Sequence, residues 1–149
     1  MNFDEKLDIS DMVKCADNFY KTLDMALKIE TDNLKVVSDD EEGKFLYRFA
    51  RSAMIQVFEV TVEISWKMMQ RWIKINADKD IIQKPKRELF RTAHQCGLIS
   101  DPIIWWDFYG ARNKTSHTYH EEIAEEVYAL SKELPFHLKD FIKRLDERR

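Results

Sequence analysis

Residues 112–119 read RNKTSHTY, and the chain runs on through His120 into the acidic stretch EEIAEE. Eight residues thus gather a guanidinium, a carboxamide, three hydroxyls, an imidazole and a phenol. Arg112 offers a permanent positive charge on a planar fork that can grip a phosphate bidentately. His117 titrates near neutral pH, so it can move a proton to or from a ribose hydroxyl. Asn113 and Ser116 add neutral hydrogen bonds able to orient a backbone. The same residues also suit a plain polar helix end, where they satisfy the last carbonyls or water. At about 100° per residue, Asn113 lies one turn below His117 and Arg112 about 140° away from it. Convergence of Arg112 on His117 therefore needs a wrapped side chain, or a helix that ends near Ser116.

Other groups compete for attention. His117, His120 and Glu121 could ligate a metal, but no second ligand pair has that spacing, and no metal or other cofactor is expected. Glu59 and Glu63 lie one turn apart in an otherwise apolar stretch; they form either a solvent stripe or a support that orients Arg112. His94 and His137 are single polar residues on helices and read as surface or satisfied core groups. Trp66, Trp72, Trp105 and Trp106 read as core or subunit interface rather than base-stacking platforms, because few basic residues neighbour the motif in sequence.

The elements that must position these side chains are helical. In DISDMVKCADNFYKTLDMALKIE, Ile9, Met12, Val13, Ala16, Phe19, Tyr20, Leu23, Ala26 and Leu27 recur at three- and four-residue spacing, with Asp8 or Ser10 as cap. The polar run SDDEEGK, with Gly43, predicts an exposed connection. Between Gly43 and Pro85 there is no Gly or Pro. Within that span EVTVEISWKM alternates as a half-buried strand would, but apolar residues continue on both sides from Leu46 and Phe49 to Trp72 and Ile73, so the segment reads as helix. Pro85 opens and Gly97 closes a short helix. Ser100, Asp101 and Pro102 start a fourth, which carries the motif near its C-terminal end. From about Glu121, a near-heptad pattern through Ile123, Val127, Leu130, Leu134, Leu138, Phe141 and Leu145 predicts a fifth helix, kinked at Pro135. The expected architecture is all-α, an up-and-down bundle of about five helices forming one domain over 1–149.

Composition agrees with that class. The 149 residues are 44% hydrophobic and 34% charged, with three Gly and three Pro. No run is long enough for a membrane span, and the start MNFDEKLDIS lacks a basic then apolar leader, so a cytoplasmic protein without membrane contact is expected. Cys15 and Cys96 show no ligand spacing and read as buried thiols. A net charge of −3 argues against coating nucleic acid by bulk electrostatics, which leaves only a local contact.

Three blocks, QVFEVTVEISWK, PKRELFRTAHQCGLI and RNKTSHTYHEEIAEEVY, occur in this order. With Arg112, His117 and Tyr119 in the third, they resemble the HEPN superfamily and, more narrowly, its HepT-like members, also known as nucleotidyltransferase substrate-binding proteins. The resemblance runs from about Leu7 to Leu145; Gly110 and Ala111 stand where close relatives often carry acidic residues. It implies a helical homodimer whose motifs face one another across a cleft, and a metal-independent endoribonuclease acting on RNA, in several cases transfer RNA. It further implies a toxin-antitoxin pair in which a minimal nucleotidyltransferase silences the toxin by AMP transfer. By that resemblance Arg112 and His117 are the catalytic pair, Asn113 is their polar neighbour, and Tyr119 is the AMP acceptor. The other function considered is a non-catalytic subunit that presents a surface to the nucleotidyltransferase.

Overall fold

The computed structural model describes residues 6–35 and 41–149, and every regular element among them is helical. Six α-helices follow in order: α1 (Ser10–Lys35), α2 (Glu41–Asn76), α3 (Lys86–Gln95), α4 (Pro102–Lys114), α5 (Glu121–Ser131) and α6 (Leu134–Arg148). Short 3-10 turns at Ile81–Gln83 and Thr115–His117 precede α3 and follow α4. Long α2 is the central element: α1 packs along it, and α3, α4 and α5 all contact it. The last helix, α6, contacts α1 and α5.

The strand-like alternation in α2 is incidental. Its buried residues there are Phe58, Thr61, Val62, Ser65, Met68 and Met69, which follow the three- and four-residue steps of a helix face. Thr61 and Ser65 enter the core because each hydroxyl donates to a carbonyl one turn back, Val57 O and Thr61 O, both at 2.6 Å. Along α1 and the residue before it, Ile9, Met12, Ala16, Phe19, Leu23 and Ala26 of the expected face are buried, while Val13 and Leu27 are exposed. Asp8 supplies the expected cap, accepting from the Ser10 N–H at 2.9 Å.

Helix ends explain the short elements. After α3, Leu98 N donates to Ala93 O and Gly97 N to His94 O, a Schellman closure that needs the positive φ of 78° at Gly97. At α4, Asp101 accepts from the N–H groups of Ile103 and Ile104 at 2.9 and 3.2 Å, with Pro102 as first helical residue.

Two expectations change. Pro135 does not kink a fifth helix; it stands in the first turn of a separate one, and the chain turns between them through Lys132 N to Ala129 O and Glu133 N to Leu130 O. A proline lacking its N–H fits a helix start, where that donor has no partner anyway, so the described residues form six α-helices rather than about five. The connection expected after Val37 falls partly outside the described residues, and from Glu41 onward it is already the first turn of α2, with Gly43 inside the helix. The near-heptad core is retained across the break, with Val127, Leu134, Leu138, Phe141 and Leu145 all buried. Trp105 of α4 anchors it, edge-on to Phe108 at 5.4 Å and to Phe141 at 5.8 Å. No helix is long and apolar enough to cross a membrane among the described residues.

Candidate active site

The motif occupies the junction between α4 and α5. The α-helix stops at Lys114, and Thr115–His117 tighten into a 3-10 turn, so the continuous-helix geometry does not apply beyond that point. Thr115 Oγ1 donates to Arg112 O at 2.7 Å and Thr118 Oγ1 to Thr115 O at 3.2 Å, which satisfies carbonyls freed where the helix ends. His120 N donates to His117 O, and Ala124 N to His120 O, starting α5. The hydroxyls of the motif are thus partly spent on local backbone. Asn113 and Ser116 are exposed and make no hydrogen bond to another described side chain.

Arg112, in the last turn of α4, points across to α2. Its Nε donates to Glu63 Oε2 at 2.9 Å, and Nη2 lies 3.7 Å from Glu59 Oε1. Of the two expected roles for these carboxylates, the geometry selects contact with Arg112. Glu63 also accepts from Trp66 Nε1 at 3.0 Å and pairs with Lys67 at 3.2 Å. Burial alone would raise its carboxyl, but hydrogen bonds from Trp66 and Lys67 and the Arg112 charge outweigh this and hold it below the ordinary 4.5. Glu59, Val60, Glu63, Ile64, Lys67 and Arg112 line an open groove of about 320 Å³.

His117 and Tyr119 stand beside one another on the surface. Nδ1 of His117 is 3.3 Å from the Tyr119 hydroxyl, and the phenol is 75% exposed, with His120 against its ring at 4.4 Å between centroids. A two-residue spacing would oppose these side chains on a helix; the turn after Lys114 brings them together. Glu121 turns away from both histidines to Arg51, so the suggested His117, His120 and Glu121 ligand set does not form, and no group of three such residues gathers elsewhere among the described residues.

Sequence reasoning missed Arg51. It is 5% exposed, and its guanidinium bonds Glu121 through Nη1 at 2.6 Å and Nη2 at 2.9 Å, and Glu125 through Nη1. Tyr47 OH also donates to Glu125, at 2.9 Å. The nearby Lys114 pairs with Glu126 at 2.9 Å. Arg51 and Lys114 thereby tie the start of α5 to α2 and α4, immediately after Tyr119. The tryptophans differ in setting, and the scarcity of cations near them in sequence does not carry over to the fold. Trp105 is buried as expected, but Trp106 is exposed, and folding brings Lys86 over Trp66 and Arg87 over Trp106. Cys15 and Cys96 are free and half-buried rather than fully buried. His94 is satisfied, its Nδ1 3.1 Å from Ile99 O, whereas Nδ1 of His137 is buried without a partner.

Residues 17–147 match the family described as nucleotidyltransferase substrate binding protein like. The chain belongs to that family. Its similarity to a probable ribonuclease HepT of Haemophilus influenzae is 44% identity over 78 residues, which are 50% of this chain and 53% of that protein. The match thus spans about half the length of the curated relative. Among solved structures, the chain is similar to HI0074 of Haemophilus influenzae, described as showing the fold of a substrate binding domain of a nucleotidyltransferase. That likeness has a TM-score of 0.77 and 27% identity, covering 93% of this chain and 99% of the other. A protein from Thermus thermophilus shares the fold at a TM-score of 0.57 and 22% identity, over 83% and 99% of the two chains. The nucleotidyltransferase substrate-binding family therefore includes the whole α4–α5 junction of this chain, since the matched span runs past it into α6.

Proposed function

We propose that this chain, as one domain in a cytoplasmic homodimer, is a metal-independent endoribonuclease of a toxin-antitoxin pair. Its partner is a minimal nucleotidyltransferase, which silences it by transferring AMP to Tyr119. The observation that carries the reading is the exposed pair of His117 and Tyr119 in the turn that follows the Arg112 helix. His117 takes the proton of a ribose 2'-hydroxyl; the 2'-oxygen attacks phosphorus, the bond to the 5'-oxygen breaks, and that oxygen leaves with a proton from solvent. The product ends are a cyclic phosphate and a 5'-hydroxyl. Arg112 stabilises the extra negative charge on the phosphorane, and Asn113 and Ser116 orient the RNA backbone.

AMP on Tyr119 would place a phosphate charge and a purine within reach of His117, blocking both the imidazole and the approach of RNA. One observation favours the alternative of a non-catalytic subunit. Arg112 is already engaged by Glu63, so the cation intended for the phosphate has a competing carboxylate. One experiment separates the readings. Purified protein in EDTA should cut RNA, and Arg112→Ala or His117→Ala should each slow cutting by roughly 100-fold with the fold intact. Intact mass after incubation with the nucleotidyltransferase, ATP and magnesium should gain AMP in the wild type and not in Tyr119→Phe. Equal cutting by wild type and both alanine variants would sink the assignment and favour the binding subunit.

A further inference from the structure

The segment KPKRELFR at 84–91 concentrates four cations on and just before α3. Lys84 pairs with Asp78 and Arg91 with Glu88. Lys86 and Arg87 engage no carboxylate among the described residues and lie over indole rings instead. Lys86 Nζ is 4.2 Å from the Trp66 ring centroid, and the Arg87 guanidinium carbon is 5.2 Å from that of Trp106. Trp106 stacks on Tyr109 at 5.7 Å and 29°, and Tyr109 meets Trp66 edge-on at 6.3 Å. Trp66 Nε1 and Arg112 Nε donate to the same oxygen, Glu63 Oε2. Rings and cations from α2, α3 and α4 therefore form one continuous strip that ends at Arg112.

We infer that this strip is the docking path along which an unpaired stretch of RNA reaches Arg112. The inference rests on the ribonuclease reading and deepens it by placing the substrate. Every base has a π-face, so aromatic rings hold single strands without sequence preference. Cations that have no carboxylate partner can meet phosphates without breaking an ion pair. In a chain of net charge −3, such a local strip is what makes attraction to a polyanion possible. A second copy of this chain fits the strip less well, because a two-fold contact there would set like charges against each other.

The test uses His117→Ala protein, which would hold RNA without cutting it, and a short fluorescein-labelled single-stranded RNA of mixed sequence in EDTA. Anisotropy at several salt concentrations gives Kd and its salt dependence. Adding Lys86→Gln and Arg87→Gln together should weaken binding about tenfold or more. It should also make the slope of log K against log salt shallower by about 1.4, as two contacts of about 0.7 each. Adding Trp106→Ala should weaken binding about tenfold with the slope unchanged, since a stacking contact releases no counterion. Lys86→Arg with Arg87→Lys should restore the parent slope. No binding by the parent, or unchanged Kd and slope in the cation variant, overturns the inference. So does loss of the dimer in sedimentation, which would make the strip a subunit contact. If the strip variants lose RNA as expected while wild-type protein cuts nothing, the docking path stands and the ribonuclease reading falls.

Discussion

Arg112 illustrates how a single side chain depends on residues far away in sequence. Its partner Glu63 is 49 residues distant, in a stretch of α2 that is otherwise without charge from Ser52 to Trp66 apart from Glu59, and the oddity of two carboxylates there is visible in the sequence itself. What their spacing does not say is which carboxylate makes the close contact; only the packing of α4 on α2 favours Glu63 at 2.9 Å over Glu59 at 3.7 Å. The carboxyl of Glu63, depressed by hydrogen bonds from Trp66 and Lys67 and by the Arg112 charge, gives this cluster a pH signature. A group whose folded value lies below its unfolded one stabilises the protein above the unfolded value of about 4.5, and that stabilisation is lost as pH falls through the lower folded value. Glu63→Gln should therefore cost about 1 kcal/mol near neutral pH. The gap to wild type should close in acid, as read from urea midpoints across pH. A gap that stays constant or widens below about pH 4 would show that Trp66, Lys67 and Arg112 together do not hold the Glu63 carboxylate in the folded protein.

At the scale of elements, the chain's punctuation is legible where a backbone requirement dictates residue type: Asp101 and Pro102 at the start of α4, and Gly97 at the positive φ after α3. It is ambiguous at Pro135, because a proline in a continuing apolar pattern is compatible with a kink and with a fresh start. Arg51 is illegible for another reason. An arginine in a helix that also carries Arg48 and Arg71 has no local mark of burial when its partners, Glu121 and Glu125, are 70 and 74 residues away. Its Nε is buried without a partner, so the group keeps a desolvation cost, whereas Glu121 and Glu125 can return to water if it is removed. Arg51→Met should consequently change global stability by about 1 kcal/mol or less, yet free the start of α5. Amide exchange over Thr118–Ala124 should accelerate by roughly tenfold while α1 and the centre of α2 keep their protection. Uniform acceleration everywhere, or none in this segment, would rule out a local tether behind His117 and Tyr119.

Across the molecule, the described residues leave one side of the central helix uncovered. Phe45 and Phe49, each 63% exposed, and Val60, 53% exposed, recur at helical spacing on α2 and share a side with Glu59 and Glu63. Sequence reasoning placed Phe49 and Leu46 within one apolar pattern running through α2, and the structure shows why the pattern overfills a single bundle: α1, α3, α4 and α5 cover other sides of the helix, and both residues remain exposed. A second copy related by a two-fold axis would cover this stripe with its own and set two Arg112 grooves side by side, which is the arrangement the proposed function needs. Two-fold symmetry doubles the effect of each substitution, since one change alters both sides of the contact. Replacing a phenylalanine that buries about 2 kcal/mol should cost about 4 kcal/mol per dimer, or roughly a thousandfold in the dimerisation Kd. Phe49→Glu protein should then sediment as a monomer at micromolar concentration, retain its helical circular dichroism, and lose RNA cutting together with the dimer. Phe136→Glu, at a still more exposed phenylalanine on α6 rather than α2, should leave the dimer and its cutting unchanged. Wild-type protein that sediments as a monomer, or Phe49→Glu protein that stays dimeric, would remove α2 from the interface and with it the shared cleft.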